Sequence, residues 1–286
     1  MQFWLIQTLN SVAFGGLLFL LSSGFSLIFG LMRIPNLAHG AVFMLGAYFG
    51  ATFIELGINF WIAALLSGLG VGLLGLLLER LILRRLAGNE QGQVLVTLGI
   101  SFIVADVCLM VWTGDPIPLP APAALRAPIF VAGFAFPTYR LAVLAVALVI
   151  AAGLYLLIER TRLGAMIRAG VDDMEMARGV GIPISKLYML VFLLGTALAG
   201  IGGTLGGPIL NADPGLDSQM LPLALVVVIL GGIGSLVGAL VGSLIVGFLY
   251  NFGTALVPDL AYFVLFFPMV LVLVLMPQGL FGRVPQ

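Results

Sequence analysis

The residue types that usually perform acid–base, nucleophilic or metal chemistry are scarce in this chain. It contains one histidine, His39, and one cysteine, Cys108, so neither a two-histidine zinc motif nor an internal disulfide can form. The single lysine, Lys186, is followed by Leu187, whereas a phosphate-binding loop needs Ser or Thr there. No serine lies in the G-x-S-x-G pattern of a hydrolase. The sequence therefore argues against a self-sufficient enzyme and predicts no cofactor or metal site.

Two polar groups stand out in otherwise apolar surroundings. His39 lies between two apolar runs, beside Asn36 and Gly40, and Asp106 lies within a third run. A lone histidine near a helix start is usually a structural hydrogen-bond partner, but one that faces a water-filled cavity could contact a solute. A carboxylate inside a membrane segment must be paired or hydrated. Asp106 is therefore either a pathway group or one partner of an interhelical bond, and the sequence leaves both open.

A glycine cluster interrupts the longest apolar run, 222–250. It contains Gly231, Gly232, Gly234 and Ser235. Discontinuous helices of transporters use such breaks to hold polar substrates, while the alternative is a tight turn between two helices. The predicted translocation pathway comprises Asn36, His39, Gly40, Asp106, Gly231, Gly232, Gly234 and Ser235.

The loop 159–186 holds more than a third of the 24 charged residues. Within it, 172–180 is compatible with a helix that has acids at its start and Arg178 near its end, as the helix dipole favours. Gly181 and Pro183 then predict its end. Such a helix, with Met174, Ala177 and Val180 along one edge, could bind a cytoplasmic partner. The alternative is a solvated loop whose charges only set the topology.

The elements that carry these residues must be membrane helices. Apolar residues make up 62% of the chain and charged residues 8%, against about 45–50% and about 25% in soluble domains. Eight apolar runs cover about 12–32, 37–57, 60–83, 93–113, 140–158, 187–207, 222–250 and 260–276. A bilayer is crossed by about 20 helical residues. The sequence predicts one all-α, polytopic transmembrane domain, 1–286, with eight segments, or nine if the longest run is broken.

Basic residues predict the orientation of this bundle. One side receives Arg33, Arg80, Arg84, Arg85, Arg160, Arg162, Arg168, Arg178 and Lys186, and the other receives Arg126 and Arg140. The positive-inside rule places the first group in the cytoplasm and the N-terminus outside. Arg283 is cytoplasmic only if 222–250 counts twice, so nine segments and a cytoplasmic C-terminus are favoured. A net charge of zero argues against a nucleic-acid partner.

Two further patterns concern packing and the external surface. Small residues recur four apart at Gly195, Ala199, Gly203 and Gly207, at Gly234, Gly238 and Gly242, and at Ser235, Ala239, Ser243 and Gly247. Such faces let helices pack closely within a subunit; the alternative is that one of them lines a pore or a subunit interface. The proline-rich stretch 114–137 is predicted to be an extended or capped surface segment.

Several short motifs occur in a characteristic order along nearly the whole chain. They are Asn-Leu-Ala-His-Gly at 36–40, Gly-Ala-Tyr at 46–48, Arg-Ala-Gly at 168–170, Met-Ala at 176–177, Gly-Ile at 181–182, Leu-Gly-Gly-Ile-Gly-Ser at 230–235 and Met-Pro-Gln-Gly-Leu-Phe-Gly at 276–282. In residues and order they resemble the LivH-type branched-chain amino acid permeases of ABC importers.

This resemblance implies an inner-membrane permease for branched-chain or related amino acids. Its expected partners are a second permease, which would be a different chain, two cytoplasmic ABC ATPases and an extracytoplasmic solute-binding protein, within the lipid bilayer. By resemblance, the loop that docks on an ATPase contains Arg168, Ala169, Gly170, Asp173, Glu175, Ala177 and Gly181. Aromatic amino acids, amides and urea remain open as substrates. The alternative function is a self-contained channel or ion-coupled carrier for a small polar solute, suggested by Asp106 and the glycine break.

Overall fold

The computed structural model describes residues 2–33, 35–131 and 133–282. Within these residues the α-helices are α1 (Gln2–Met32), α2 (His39–Glu55), α3 (Phe60–Leu81), α4 (Glu90–Trp112), α5 (Thr138–Arg160), α6 (Arg162–Asp172), α7 (Met174–Gly179), α8 (Ile184–Leu210), α9 (Leu216–Gly231), α10 (Leu236–Leu256) and α11 (Ala261–Leu275). Short 3-10 turns occupy Leu83–Leu86, Ala123–Leu125 and Pro258–Leu260, and two strands are β1 (Pro128–Val131) and β2 (Phe134–Pro137).

The helical membrane architecture is confirmed. In the described part of the chain, seven helices are long and apolar enough to cross a membrane. Two apolar helices are shorter, because α2 has 17 residues and α9 has 16, against the roughly 20 that a span needs. The number of complete spans therefore stays a prediction.

The break in the run 222–250 is present at the glycine cluster. α9 ends at Gly231, and Gly232 and Gly234 have φ angles of 103° and 76°, which favour glycine. Ser235 then caps α10, since its hydroxyl accepts a hydrogen bond from the Gly238 amide at 2.9 Å. The bounds differ from those predicted: α9 begins at Leu216 rather than at 222.

Helix α8 lies at the centre of the bundle, and α1, α2 and α3 pack around it. The contacts are made at backbone level: Gly24 of α1 lies against Gly195, and Gly46 of α2 lies against Gly200. A Cβ atom added to Gly203 would overlap the carbonyl oxygen of Phe43. The first small-residue face thus packs helices within the chain, as the simpler interpretation predicted.

The second set of small residues has the same use. On α10, Gly247 packs against Gly15 of α1, and Gly238 packs against Gly231 at the end of α9. Gly234 packs against Gly30, near the other end of α1. α1 and α10 therefore run side by side in opposite directions over most of their length.

One end of the bundle gathers the basic segments, and we call it the basic end. There the Arg33 side chain donates to the Val171 carbonyl oxygen at 3.4 Å, so the ends of α1 and α6 meet. Leu280 donates its amide to Leu230 at 2.9 Å, and Gly282 lies beside the α9–α10 turn. The described chain therefore finishes at the basic end. Arg283, which entered the sequence argument about the C-terminus, lies outside the described residues.

The opposite end carries the segment 114–137. Its strands β1 and β2 form an antiparallel hairpin with Pro128 opposite Pro137, and Gly133 has a φ of 84° in the turn. Ile117 forms an isolated bridge with Ala212, after α8. The hairpin was not predicted, because prolines pointed to an extended segment; prolines at strand ends are compatible with pairing.

Candidate functional site

The charged loop forms two helices at the basic end, α6 and α7. The predicted helix over 172–180 corresponds to α7, which begins one residue after Asp173. The Asp173 carboxylate caps it by accepting a hydrogen bond from the Met176 amide at 2.9 Å. Gly181 follows it with a φ of 89°, the left-handed conformation expected of a helix stop.

Helix α6 was missed by the sequence reasoning, although three predicted docking residues lie in it. The Thr161 hydroxyl accepts from the Gly164 amide at 3.1 Å, a threonine cap that could have signalled the helix start. Arg168 lies 3.4 Å from Glu159 in an ion pair and also donates to the Ile158 carbonyl oxygen. Ala169 follows in the same helix, and Gly170 packs against Leu31 and Leu187.

Helix α7 is attached to α8 on one side and exposed on the other. The Tyr188 hydroxyl donates to the sulfur atom of Met174 at 2.9 Å, and Ala177 is buried. Val180, which was expected on the same apolar edge as Ala177, is instead 71% exposed, and Met176 is 64% exposed. With the exposed Glu175 and Arg178, these side chains form a mixed apolar and charged surface.

The second group of predicted site residues lies where α2 begins. The Asn36 side-chain oxygen accepts from the Ala38 amide at 3.2 Å, and the Leu37 amide donates to the Thr97 hydroxyl at 3.3 Å. Thr97 is seven residues into α4, or about 10 Å along a helix rising 1.5 Å per residue. Helix α2 therefore begins inside the bundle rather than at the basic end.

His39 is fully buried beside this helix start. Its Nε2 atom is hydrogen-bonded to the Leu21 carbonyl oxygen at 3.0 Å, and its ring packs on Phe25. Within the described residues, its Nδ1 atom and the Nδ2 atom of Asn36 have no hydrogen-bond partner. The arrangement gives His39 the structural hydrogen bond expected of a lone histidine and leaves two buried polar atoms unpaired.

Helix α9 begins at the same place. A Cβ atom built on Gly40 would lie 2.5 Å from the Asp217 carbonyl oxygen, so the first turns of α2 and α9 touch. The Asp217 carboxylate lies beside Ser101, which is halfway along α4. We call Asn36, His39, Gly40, Ser101 and Asp217 the α2–α9 junction.

Two helix starts that meet inside a bundle create a polar locus in apolar surroundings. The first amides of a helix lack partners within it, and its N-terminus carries partial positive charge. Asp217 lies in the first turn of α9 and offsets that charge. The following Ser218 and Gln219 are exposed. Sequence reasoning missed all three because it began the apolar run at 222; the polar triplet after Pro214 was the available signal.

The other predicted pathway residues lie elsewhere. Asp106 is exposed and has no hydrogen bond or ion pair to the residues described; five residues after Ser101, it is turned by about 140° around α4. The turn Gly231, Gly232, Gly234 and Ser235 lies at the basic end. The structure thus groups Asn36, His39 and Gly40, and it favours the tight-turn interpretation of the glycine cluster.

Comparison with known protein families gives a match over most of the chain. A family model described as the permease component of branched-chain amino acid transport systems matches residues 7–273. The chain belongs to this family. The resemblance seen in the short motifs is thereby confirmed.

Relatives of this permease family match over most of their length. The branched-chain amino acid permease BraD of Pseudomonas aeruginosa is 28% identical, over 98% of this chain and 96% of its own. LivH of Escherichia coli K12 is 27% identical over the same shares. The probable LivH of Methanocaldococcus jannaschii is 27% identical over 68% of this chain and 64% of its own. No solved structure matches the chain.

As a permease of this family, the chain is a multi-pass membrane protein with a transport role. Its apolar helices and its scarcity of catalytic residue types agree with that role. The family match does not identify the residues that contact the solute or an ATPase, so the pathway and docking residues stay predictions.

Proposed function

We propose that this chain is the transmembrane permease subunit of an ATP-driven importer for branched-chain or related amino acids. Its relatives BraD and LivH are named as permeases of high-affinity branched-chain amino acid transport systems. Beyond family membership, the proposal rests on the structure and position of the helix pair α6–α7. This capped, charged helix pair lies at the basic end and is joined to the central helix α8 through Tyr188 and Met174.

The proposed complex contains a second permease of a different sequence, two cytoplasmic ATPases and an extracytoplasmic binding protein. In this arrangement the basic end is cytoplasmic, as the positive-inside rule requires, and the N-terminus is outside. Glu175, Met176 and Val180 face outward from α7 and contact an ATPase. ATP hydrolysis takes place in those subunits, since this chain has no phosphate-binding loop.

The proposed transport path passes the α2–α9 junction. Short helices that begin within a membrane are typical of transporter binding sites, because their free amides can hold polar groups of a solute. Asn36 and His39 supply a buried donor and a buried ring nitrogen there. Asp106 then faces either water in the path or the second permease, because a bare carboxylate against lipid is costly.

Coupling requires that movement of α7 reach the helices around α8. Helix α6 packs by Gly170 against Leu31 of α1 and Leu187 of α8, and α7 is held by Tyr188 of α8. When the ATPases close, the displaced α6–α7 pair tilts these helices between outward-open and inward-open arrangements.

The test is uptake of labelled leucine into vesicles that contain the complete complex, with ATP supplied to the ATPases. ATP-dependent uptake that needs the binding protein is the expected result, and competition by phenylalanine, leucinamide and urea would establish the substrate class. The matched control is this chain alone. Solute flux through the chain alone would contradict the proposal and support the self-contained carrier.

A further inference from the structure

Glu79 is an anomalous residue in the bundle. It lies near the end of α3 with no exposed surface, and neither carboxylate oxygen has a hydrogen-bond partner in the described part of the chain. The charge of Arg84 lies close enough to act on Glu79, but a buried carboxylate without a hydrogen bond is still costly, and buried polar groups are nearly always satisfied. An unsatisfied group of this kind suggests that its partner is engaged elsewhere in this conformation.

The position of Glu79 places it next to α8. Helices α3 and α8 pack in opposite directions, with Gly75 of α3 against Thr196 of α8. One turn further toward the basic end, Glu79 reaches the level of Phe192, and Tyr188 is one turn beyond. The charges of Arg178, Glu79 and Arg33 all lie close enough to act on the Tyr188 hydroxyl, which agrees with this register.

Tyr188 donates its hydroxyl hydrogen to a poor acceptor. The partner is the thioether sulfur of Met174, at 2.9 Å, and Met174 is the first residue of α7. A thioether is a weak acceptor, whereas a carboxylate forms a stronger, charge-assisted hydrogen bond. The same hydroxyl thus donates to a weak acceptor on α7, while a strong acceptor without a hydrogen bond, Glu79, lies about one turn away along the contact of α3 with α8.

We propose that Tyr188 and Glu79 are positioning residues that couple α7 to the membrane helices. When α7 is displaced, the Tyr188 hydroxyl leaves Met174 and donates to the Glu79 carboxylate, which joins α8 to α3 in the second state. No bond other than this hydrogen bond changes. The exchange gives the two-state element that coupling between distant sites requires. This inference rests on the proposed function, because it needs a partner that moves α7.

The experiment uses the complete complex and measures leucine uptake and ATP hydrolysis in the same vesicles. Tyr188→Phe removes the donor and should lower uptake per ATP hydrolysed by about fivefold to tenfold, the worth of one hydrogen bond. Total ATP hydrolysis should stay within about twofold, because the ATPase sites are untouched. A purely structural role would lower both rates together.

Two further variants remove the acceptors one at a time. Met174→Leu conserves volume and abolishes the acceptor of the present state, while Glu79→Leu abolishes that of the second state. ATP hydrolysis without substrate should therefore shift in opposite directions in these two variants. Glu79→Gln keeps a weaker acceptor, so its rate of ATP hydrolysis without substrate should lie between that of Glu79→Leu and that of the unmodified chain.

The matched control is Tyr155→Phe, because Tyr155 is an exposed tyrosine of α5. It should leave the ratio of uptake to hydrolysis unchanged. An unchanged ratio of uptake to ATP hydrolysis in Tyr188→Phe would overturn the inference. Shifts of the same sign in the substrate-free ATP hydrolysis of Met174→Leu and Glu79→Leu would also overturn it. If Tyr188→Phe fails to reach the membrane, the two acceptor variants decide. Absence of ATP-dependent uptake by the unmodified complex would instead contradict the proposed function.

Discussion

The basic end and the α2–α9 junction place polar residues in opposite ways. At the basic end, most charges other than that of Glu79 are at least partly exposed, and helix starts are capped locally, as Thr161 and Asp173 show. At the junction the polar groups are mostly buried, and Asn36 and His39 keep unpaired atoms in the part of the chain that the structure describes. Water can solvate the first region, whereas the second depends on its own packing.

Because one region is solvated and the other is packed, the two should respond differently to substitution. In the proposed complex the exposed surface of α7 contacts an ATPase, so its variants should insert normally and fail in transport. The junction lies on the proposed transport path but also packs α2 against α9, so its variants should lower the amount of folded protein as well as transport. A variant in one region that gave the response expected of variants in the other would contradict this distinction.

The largest effect is expected at the closest backbone contact of the junction. Gly40→Leu forces a side chain into the Asp217 carbonyl and Leu221. Overpacking of this kind costs about 1–3 kcal/mol and sometimes more, so we expect about a tenfold or greater loss of folded protein, measured by detergent size-exclusion chromatography. Gly179→Leu is the matched control, because a Cβ at Gly179 of α7 meets nothing within 4 Å. Equal yields of the two variants would contradict the close packing at Gly40.

A second prediction reverses a charge on the exposed face of α7. Glu175→Arg should leave the amount of folded permease unchanged, because Glu175 is exposed. A reversed charge at an interface costs several kcal/mol, so ATP-dependent leucine uptake should fall about tenfold or more. The control is Asp115→Arg, an exposed acid at the opposite end. Normal uptake with Glu175→Arg would remove α7 as the docking surface.

The composition was sufficient to predict most of the architecture. Long apolar runs give helices in a bilayer because backbone groups must be satisfied internally, and the glycine cluster at 231–235 predicted the break before α10. The early start of α9 was missed, since Asp217, Ser218 and Gln219 look like loop residues in the sequence, and only the fold brings Ser101 of α4 beside Asp217. Hydropathy reports the average environment of a segment and not the depth at which a helix begins.

The candidate site was predictable only in part, again because the sequence does not show the depth or the helix face on which a residue lies. Asn36, His39 and Gly40 were found because polar residues are rare between apolar runs, although, of the hydrogen bonds of their side chains, only that of Asn36 with Ala38 is local. Asp106 and the glycine turn were grouped with them by residue type, but helix geometry places them on another face and at another depth. Glu79 gave no signal, because a glutamate next to Arg80 at the end of an apolar run looks like an ordinary interfacial charge.

A third prediction measures how far the junction depends on its buried hydrogen bond. His39→Leu keeps an apolar side chain of moderate size but removes the bond to the Leu21 carbonyl oxygen. The loss should destabilise the permease by about 1–2 kcal/mol, seen as a lower unfolding temperature in detergent. The comparison variant is Leu148→Ala on the exposed face of α5, which should change the temperature much less. An unchanged unfolding temperature for His39→Leu would show that the hydrogen bond contributes little.

The smallest effect is expected at the cap of α7, where loss of order stays local. Asp173→Ala removes the acceptor for the Met176 amide and should cost about 1 kcal/mol of helix stability. Because α7 is short and largely exposed, this cost should appear as faster amide hydrogen exchange in α7 with an unchanged unfolding temperature. Asp173→Ser restores a capping hydroxyl and should restore slow exchange. If Asp173→Ala instead lowered the unfolding temperature as much as His39→Leu, the basic end would be part of the core fold, and the two regions would not differ in kind.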